Sequence, residues 1–311
     1  MNKKLAFVFS GQGSQKVGML AEMAERFPVV QATFAEASAV LGYDLWDLCQ
    51  NGEQEQLNQT EVTQPLLLTA SVALWRVWQD SRGAQPVILA GHSLGEWSAL
   101  VCSGVVAFTD AVDLVRKRGA YMQTAVPKGE GSMAAVLNVE DEKILSICRE
   151  ASALGVVEAV NFNSPGQVVI AGQLAAVEKA SELLKAAGAK RVLPLPVSAP
   201  FHTSLMKPAA EQMAVHIAAT PFHAPVIPVV HNVNAQTESD PEKIKALMIK
   251  QIDSPVLWVD CVNALVSHGV TTVLECGPGK VLCGLCGRIE KTLQTIGLED
   301  LAGLEKALAE T

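Results

Sequence analysis

Apolar and polar positions fall into two kinds of block along the chain. Short runs in which nearly every position is apolar, "LAFVFS" (5–10) and "VILAG" (87–91), have the length and composition of strands buried on both faces. Longer stretches carry apolar residues three and four apart. These are a helical stretch from Val17 that Pro28 interrupts, "TQPLLLTASVALWRVWQD" (63–80) with Pro65 suited to its first turn, "LGEWSALVCSG" (94–104), and "TDAVDLVRKRGAYMQTAV" (109–126) opened by a Thr/Asp cap. Strands alternating with helices predict a parallel sheet with helical crossovers.

After "VPKGEGS" (126–132) the rhythm changes. "MAAVLN" reads as a strand, "EDEKILSICREA" as a helix, and "VVEAVN" as a strand ending in the turn "FNSPG". "QVVIAG" follows as a strand, "LAAVEKASELLKAAG" as a helix and "KRVLPLPV" as a strand. That is the β-α-β-β-α-β order of a ferredoxin-like unit. The Pro-rich "LPLPVSAP" (193–200) then leads back to helix and strand material. The expected organisation is a large α/β unit from residues 1–127 and 199–311, with residues 128–198 inserted as a small ferredoxin-like subdomain.

Composition narrows the function without naming it. The 311 residues, 49% of them hydrophobic and 18% charged, suffice for a sizeable folded core. A net charge of −8 argues against nucleic acid as a partner, though a local basic patch remains compatible with an acidic ligand. No apolar stretch reaches the ~20 residues of a membrane span, and the apolar run near the start stops at Phe9, short for a signal peptide. A cytoplasmic location is therefore expected. Seven scattered cysteines fit free thiols in a reducing compartment. Cys283 and Cys286 form a C-x-x-C, but no second Cys/His pair stands at zinc spacing, so an ordinary buried face and no metal are expected.

"GHSLG" (91–95) fits G-x-S-x-G in its confirming context, a strand before and a helix after. In that setting the large unit is expected to be α/β-hydrolase-like, with Ser93 on a tight turn and the helix N-terminal amides aimed at its hydroxyl. The bland alternative is a serine in an ordinary strand–helix turn. A nucleophilic serine needs a base. His92 adjoins it but should point elsewhere, and His216, His223, His231 and His268 have no special setting. His202, in "VSAPFHTSLM", follows a loop and opens a helix, where it could face a cleft. Arg118 falls on the apolar stripe Ala111, Leu114, Val115, Met122, Ala125. An inward arginine must meet an anion, either a protein carboxylate or the carboxylate of a substrate. "SGQGSQ" (10–15) and "GPGK" (277–280) lack the glycines of nucleotide loops.

Taken together, "FVFSGQGSQ", "GHSLGE", "RKRG", "NFNSPGQVVIAG", "PLPVSAPFH" and "ECGPGKVL" resemble, in order and over nearly all the chain, the malonyl-CoA:acyl carrier protein transacylase family of bacterial fatty acid synthesis. The resemblance implies an acyltransferase without cofactor, whose partners are malonyl-CoA and acyl carrier protein. It implies Ser93 as nucleophile, His202 as base, and the Gln251 backbone carbonyl as the group that orients the histidine. The amides of Gln12 and Leu94 would form the oxyanion hole, and Arg118 would hold the malonyl carboxylate. Phe201 stands where stand-alone members often have a small residue, which resembles malonyl-selective domains of polyketide synthases and implies that methylmalonyl is disfavoured. Both CoA and the carrier are acidic, so Lys190, Arg191, Lys280 and Arg288 are candidate docking cations. A serine esterase would share the elbow and the histidine, but it would not need the inward arginine.

Overall fold

A computed structural model describes residues 4–197 and 199–311. Ser198, which falls in one of the motifs above and at the expected subdomain boundary, lies outside the described residues, as do residues 1–3. Strands β1 (Leu5–Phe9), β2 (Ile88–Gly91), β7 (Val229–Val230), β8 (Thr272–Cys276) and β9 (Gln294–Gly297) pair in the order β7-β2-β1-β8-β9, all parallel. Their unbroken apolar runs follow from burial on both faces. Phe7, Phe9, Leu89 and Leu274 enter the larger core cluster on one side, while Ala6, Val8, Ile88, Ala90 and Val273 enter a second cluster on the other. Phe9 is level with Gly91 and with Cys276, so the loops leaving β1, β2 and β8 emerge together at one edge. That carboxyl edge is where open parallel sheets gather their functional loops.

Between β2 and β7 in sequence lies a second sheet of β3 (Gly131–Leu137), β4 (Val157–Ser164), β5 (Gln167–Gln173) and β6 (Arg191–Pro194). Its order is β4-β5-β3-β6 with every pair antiparallel, the ferredoxin-like arrangement. One face, with Val136, Val168 and Ile170, packs beneath the helices Asp141–Ala151 and Leu174–Ala186. The other face sends Met133, Val160, Val169 and Ala171 into the core shared with the large sheet. The two units are also stitched through the backbone: Val256 N–H donates to Val160 at 2.8 Å, and its carbonyl accepts from Phe162 N–H at 3.0 Å. Fold class and the β-α-β-β-α-β succession of the small unit thus agree with the sequence reading.

Four local expectations need correction. Gly18 and Leu20 take left-handed φ of 79° and 62°, so no helix starts at Val17; the first helix is Ala21–Arg26, and Pro28 opens the next one, Pro28–Leu41. Pro65 is not in a first turn, because the helix begins at Thr60, whose buried hydroxyl donates to Gln123 at 2.9 Å. The third long helix starts at Phe108 behind an extended Ala107 with no side-chain cap; burial of Phe108 fixes that end in place of Thr109 or Asp110. Finally, β4 runs on to Ser164 and the turn shrinks to Pro165-Gly166, with Gly166 at φ 71°.

Candidate active site

The elbow is shaped by two glycines. A Cβ on Gly91 would lie 2.0 Å from the Gly95 carbonyl, and one on Gly95 would lie 2.0 Å from the Phe9 carbonyl oxygen. Only hydrogens at both places let the strand turn into the helix Leu94–Cys102 against β1. Ser93 sits between them at φ 52°, ψ −107°, an uncommon conformation for a residue with a side chain. Its hydroxyl is 2.7 Å from His202 Nε2. His202 is also held at a positive φ of 65°, and it is buried.

Opposite Nε2, the His202 Nδ1–H donates to the Gln251 backbone carbonyl at 2.9 Å. That bond leaves Nε2 as the unprotonated nitrogen, free to take the serine proton. Burial, reinforced by the positive charge of Arg118, drives the His202 pKa down to about 3, so the ring is neutral at physiological pH. Among the described residues no carboxylate pairs with the ring; its Nδ1 partner is a peptide carbonyl, that of the Gln251 position.

Arg118 projects from the helix Phe108–Thr124 and is 1% exposed. Its Nη1 donates to Gln64 Oε1 at 2.8 Å, and its Nη2 donates to Gln251 Oε1 at 2.8 Å and to Ser93 Oγ at 3.2 Å. Its Nε–H has no partner among the described residues. The partners are all neutral, so the protein-carboxylate alternative for this arginine is absent among the described ion pairs. Burial lowers its pKa to about 10, opposed by the charge of nearby Glu96, and it therefore stays protonated at neutral pH. A desolvated cation with donors to spare, beside a serine hydroxyl, has the chemistry to receive a small carboxylate.

These groups line a cavity of about 130 Å³. Gln12, Gln64, Ser93, Arg118 and His202 make its polar end, while Met122, Met133, Leu195, Val197 and Phe201 make its apolar walls. Leu94 is the first residue of its helix, where the N–H has no intrahelical partner, and both it and Gln12 border the cavity. β4 contributes through irregular pairing at 159–161 and 162–164. Asn161 from that stretch lines the cavity, as does His92, whose Nε2–H donates to Asn163 Oδ1 at 2.8 Å.

Residues 6–304 match the family model described as the acyl transferase domain. The chain is 56% identical over 307 residues to the malonyl CoA-acyl carrier protein transacylase of Salmonella typhimurium, covering 99% of each. It is 55% identical over 305 residues to the Escherichia coli enzyme of the same name, covering 98% of this chain and 99% of the other. The chain belongs to the malonyl CoA-acyl carrier protein transacylase family. Solved members of this transacylase family superpose closely. An acyl carrier protein S-malonyltransferase from Vibrio cholerae has a TM-score of 0.96 at 57% identity, over 98% of this chain and 99% of that one. A malonyl-transacylase in complex with its type II PKS acyl-carrier protein has a TM-score of 0.98 at 52% identity, over 99% and 100%.

Of the residues expected in a transacylase site, the structure brings Ser93, His202, Arg118, Gln251, Gln12, Leu94 and Phe201 to one cavity or into direct contact with its lining. The candidate docking cations fall into two settings. Lys190 and Arg191 are exposed at the start of β6, where Arg191 is level with Leu137. Arg288 donates to the side chain of Gln167, which is level with the same Leu137 on the other side, so these cations share one end of the small sheet. Lys280 is different: it lies 3.1 Å from Asp300 and 3.7 Å from Glu299, so its charge is answered within the chain. Arg116 and Lys117 both pair with Asp113.

One histidine departs from expectation. His231 is fully buried and its Nδ1 lies 2.7 Å from Glu96, which is itself fully buried. Glu96 also accepts from Asn232 N–H at 3.1 Å and Gln251 Nε2 at 2.7 Å. Glu96 carried a visible signal that periodicity does not use, as the one charge on the helix Leu94–Cys102, whereas Gln64 stands among Thr60, Glu61 and Thr63 and carried none. Asn232, next to a two-residue strand, carried none. Among the described residues no group of three or more His, Cys, Asp or Glu could hold a metal ion, and all seven cysteines, Cys283 and Cys286 included, are free and buried.

Proposed function

We propose that the protein transfers the malonyl group of malonyl-CoA to the phosphopantetheine thiol of acyl carrier protein through an ester on Ser93, supplying fatty acid synthesis in the cytoplasm. The observation that carries this reading is the meeting of three groups at one oxygen: Ser93 Oγ lies 2.7 Å from a neutral histidine nitrogen and 3.2 Å from a buried guanidinium. A base alone would suit many acyl groups. A base beside a carboxylate receptor selects a diacid half-ester, and malonyl is the one that the family's names carry.

In the first half-reaction His202 Nε2 takes the proton as Ser93 Oγ bonds to the thioester carbon. The N–H groups of Gln12 and Leu94 receive the developing oxyanion, a role worth about 10²–10³ in rate per donor. The tetrahedral intermediate collapses, the C–S bond breaks, and the CoA sulfur leaves with the proton from His202. In the second half-reaction His202 takes the proton of the carrier's thiol, the sulfur attacks the ester, and Ser93 leaves with that proton. The protons balance, and neither half-reaction calls for a metal or a redox group. Arg118 holds the malonyl carboxylate throughout, and Phe201 narrows the pocket against a branched acyl group.

The carrier and CoA approach the end of the small sheet that bears Lys190, Arg191 and Arg288, with Lys280 contributing less because Asp300 and Glu299 already hold it. We divide the chain into a catalytic part, 1–127 and 199–311, and an inserted subdomain, 128–198; the spans of the two sheets support that division. No helix among the described residues is long and apolar enough to cross a membrane.

The test is intact-protein mass after mixing with malonyl-CoA. A single malonyl adduct that disappears in Ser93→Ala and transfers to added carrier protein is expected. An adduct that persists in Ser93→Ala, or one that releases free malonate and leaves the carrier unloaded, refutes the reading.

A further inference from the structure

Asn232 is fully buried on the segment after β7 and takes no part in the chemistry above. Its side chain nevertheless holds the elbow at two points. Oδ1 accepts from Ser93 N–H at 2.8 Å, and Nδ2 donates to the Gly91 carbonyl at 2.7 Å. The two bonds straddle the turn, one on the serine and one on the residue where β2 ends. Asn232 is itself immobilised, since its N–H donates to Glu96 at 3.1 Å and its carbonyl accepts from Leu257 N–H at 3.1 Å. Glu96 is fixed in turn by His231 and by the same Gln251 side chain that meets Arg118.

Ser93 is the residue that needs holding. A backbone at φ 52°, ψ −107° persists only where the surroundings over-determine it. The geometry points to Asn232 as the positioning residue of the nucleophile: its carboxamide clamps the elbow from behind and keeps the serine hydroxyl on His202. The clamp also occupies the N–H of Ser93, so the unpartnered amide at this helix start is that of Leu94. Only a carboxamide of this length offers an acceptor and a donor side by side to the two backbone groups. Aspartate matches its shape but turns a second acceptor toward the Gly91 carbonyl, and alanine offers neither group. The inference rests on the reading of Ser93 as nucleophile.

The experiment compares Asn232→Ala and Asn232→Asp with the unaltered protein in two reactions. One is formation of the malonyl-serine ester as a function of malonyl-CoA concentration. The other is phosphonylation by a fluorophosphonate, which needs the serine, the base and the amide donors but not Arg118. A nucleophile displaced by about an ångström loses on the order of 10²-fold in rate. Asn232→Ala is therefore expected to lower the maximal rate of both reactions by about 10²-fold, with the KM for malonyl-CoA changed by less than about twofold. Asn232→Asp, which keeps the bond to Ser93 N–H, should fall between, and it carries the comparison if the alanine variant melts below the assay temperature. Rates within about threefold of the unaltered protein in both reactions, or a raised KM with phosphonylation intact, would overturn the assignment. If the unaltered protein forms no malonyl ester, the transferase reading fails, while the phosphonate reaction still reads the role of Asn232.

Discussion

Replacing Arg118 with alanine separates the acid-binding role from every other role in the site. The guanidinium offers an incoming malonyl carboxylate the free Nε–H together with the Nη2 donor that makes the longest of its three bonds, 3.2 Å to Ser93. A hydrogen bond to a charged group is worth about 1.5–3 kcal/mol, so two such bonds in a desolvated cavity come to about 3–6 kcal/mol. At about 1.4 kcal/mol per decade, kcat/KM for malonyl-CoA should fall by roughly two to four orders of magnitude. The substitution also leaves Gln64 Oε1 and Gln251 Oε1 without their donor, a cost that applies to any acyl group. The decisive quantity is therefore the ratio of kcat/KM for malonyl-CoA to that for acetyl-CoA, in which the shared cost cancels. That ratio should collapse by the same roughly two to four orders, most of it in KM for malonyl-CoA. Equal losses for the two substrates would show that Arg118 supports the fold of the site and does not hold the carboxylate.

Three further outcomes follow from the same geometry. With the His202 pKa at about 3, its basic form is complete across the physiological range, so kcat/KM should show no acid limb from this group until well below pH 5 or so; a limb near the ordinary histidine pKa would contradict the buried setting. The folded pKa lies below the unfolded one, so the unfolded chain binds the extra proton in the window between about 3 and about 6.5; stability should be lost as pH falls through that window, and His202→Gln should flatten the loss in urea unfolding measured at the two ends. Phe201 is 8% exposed on the cavity wall, and Phe201→Ser should raise the use of methylmalonyl-CoA relative to malonyl-CoA by about 10-fold or more, since one methyl is worth about 1–3 kcal/mol in such a pocket. An unchanged preference in competition assays would remove Phe201 from selectivity.

The parts of this fold that a linear reading captured are those dictated by periodicity and by steric need. The strands β1, β2 and β8 are short all-apolar runs because both sides of them are covered, and the small sheet announced itself by element order. Ser93 was legible because Gly91 and Gly95 have backbone carbonyls 2.0 Å from where a Cβ would stand, a requirement that writes itself into the motif. Arg118 was legible as a charge on an apolar stripe. The bracket of Glu96, His231, Asn232 and Gln251 was not, because it joins side chains 135 or more positions apart for every contact of Glu96. His231 in particular looked ordinary, since nothing local tells a buried, partnered imidazole from an exposed one. Helix starts at Thr60 and Phe108 were misplaced because tertiary burial, and not capping chemistry, fixes them.

The pair of backbone bonds at Val256 has a consequence for traffic. They fasten the edge of the small sheet on both sides of Asn161, a wall of the cavity, so parting the two units means breaking them. A group entering the cavity therefore meets a wall braced on either side of Asn161, one that yields only by giving up two backbone hydrogen bonds.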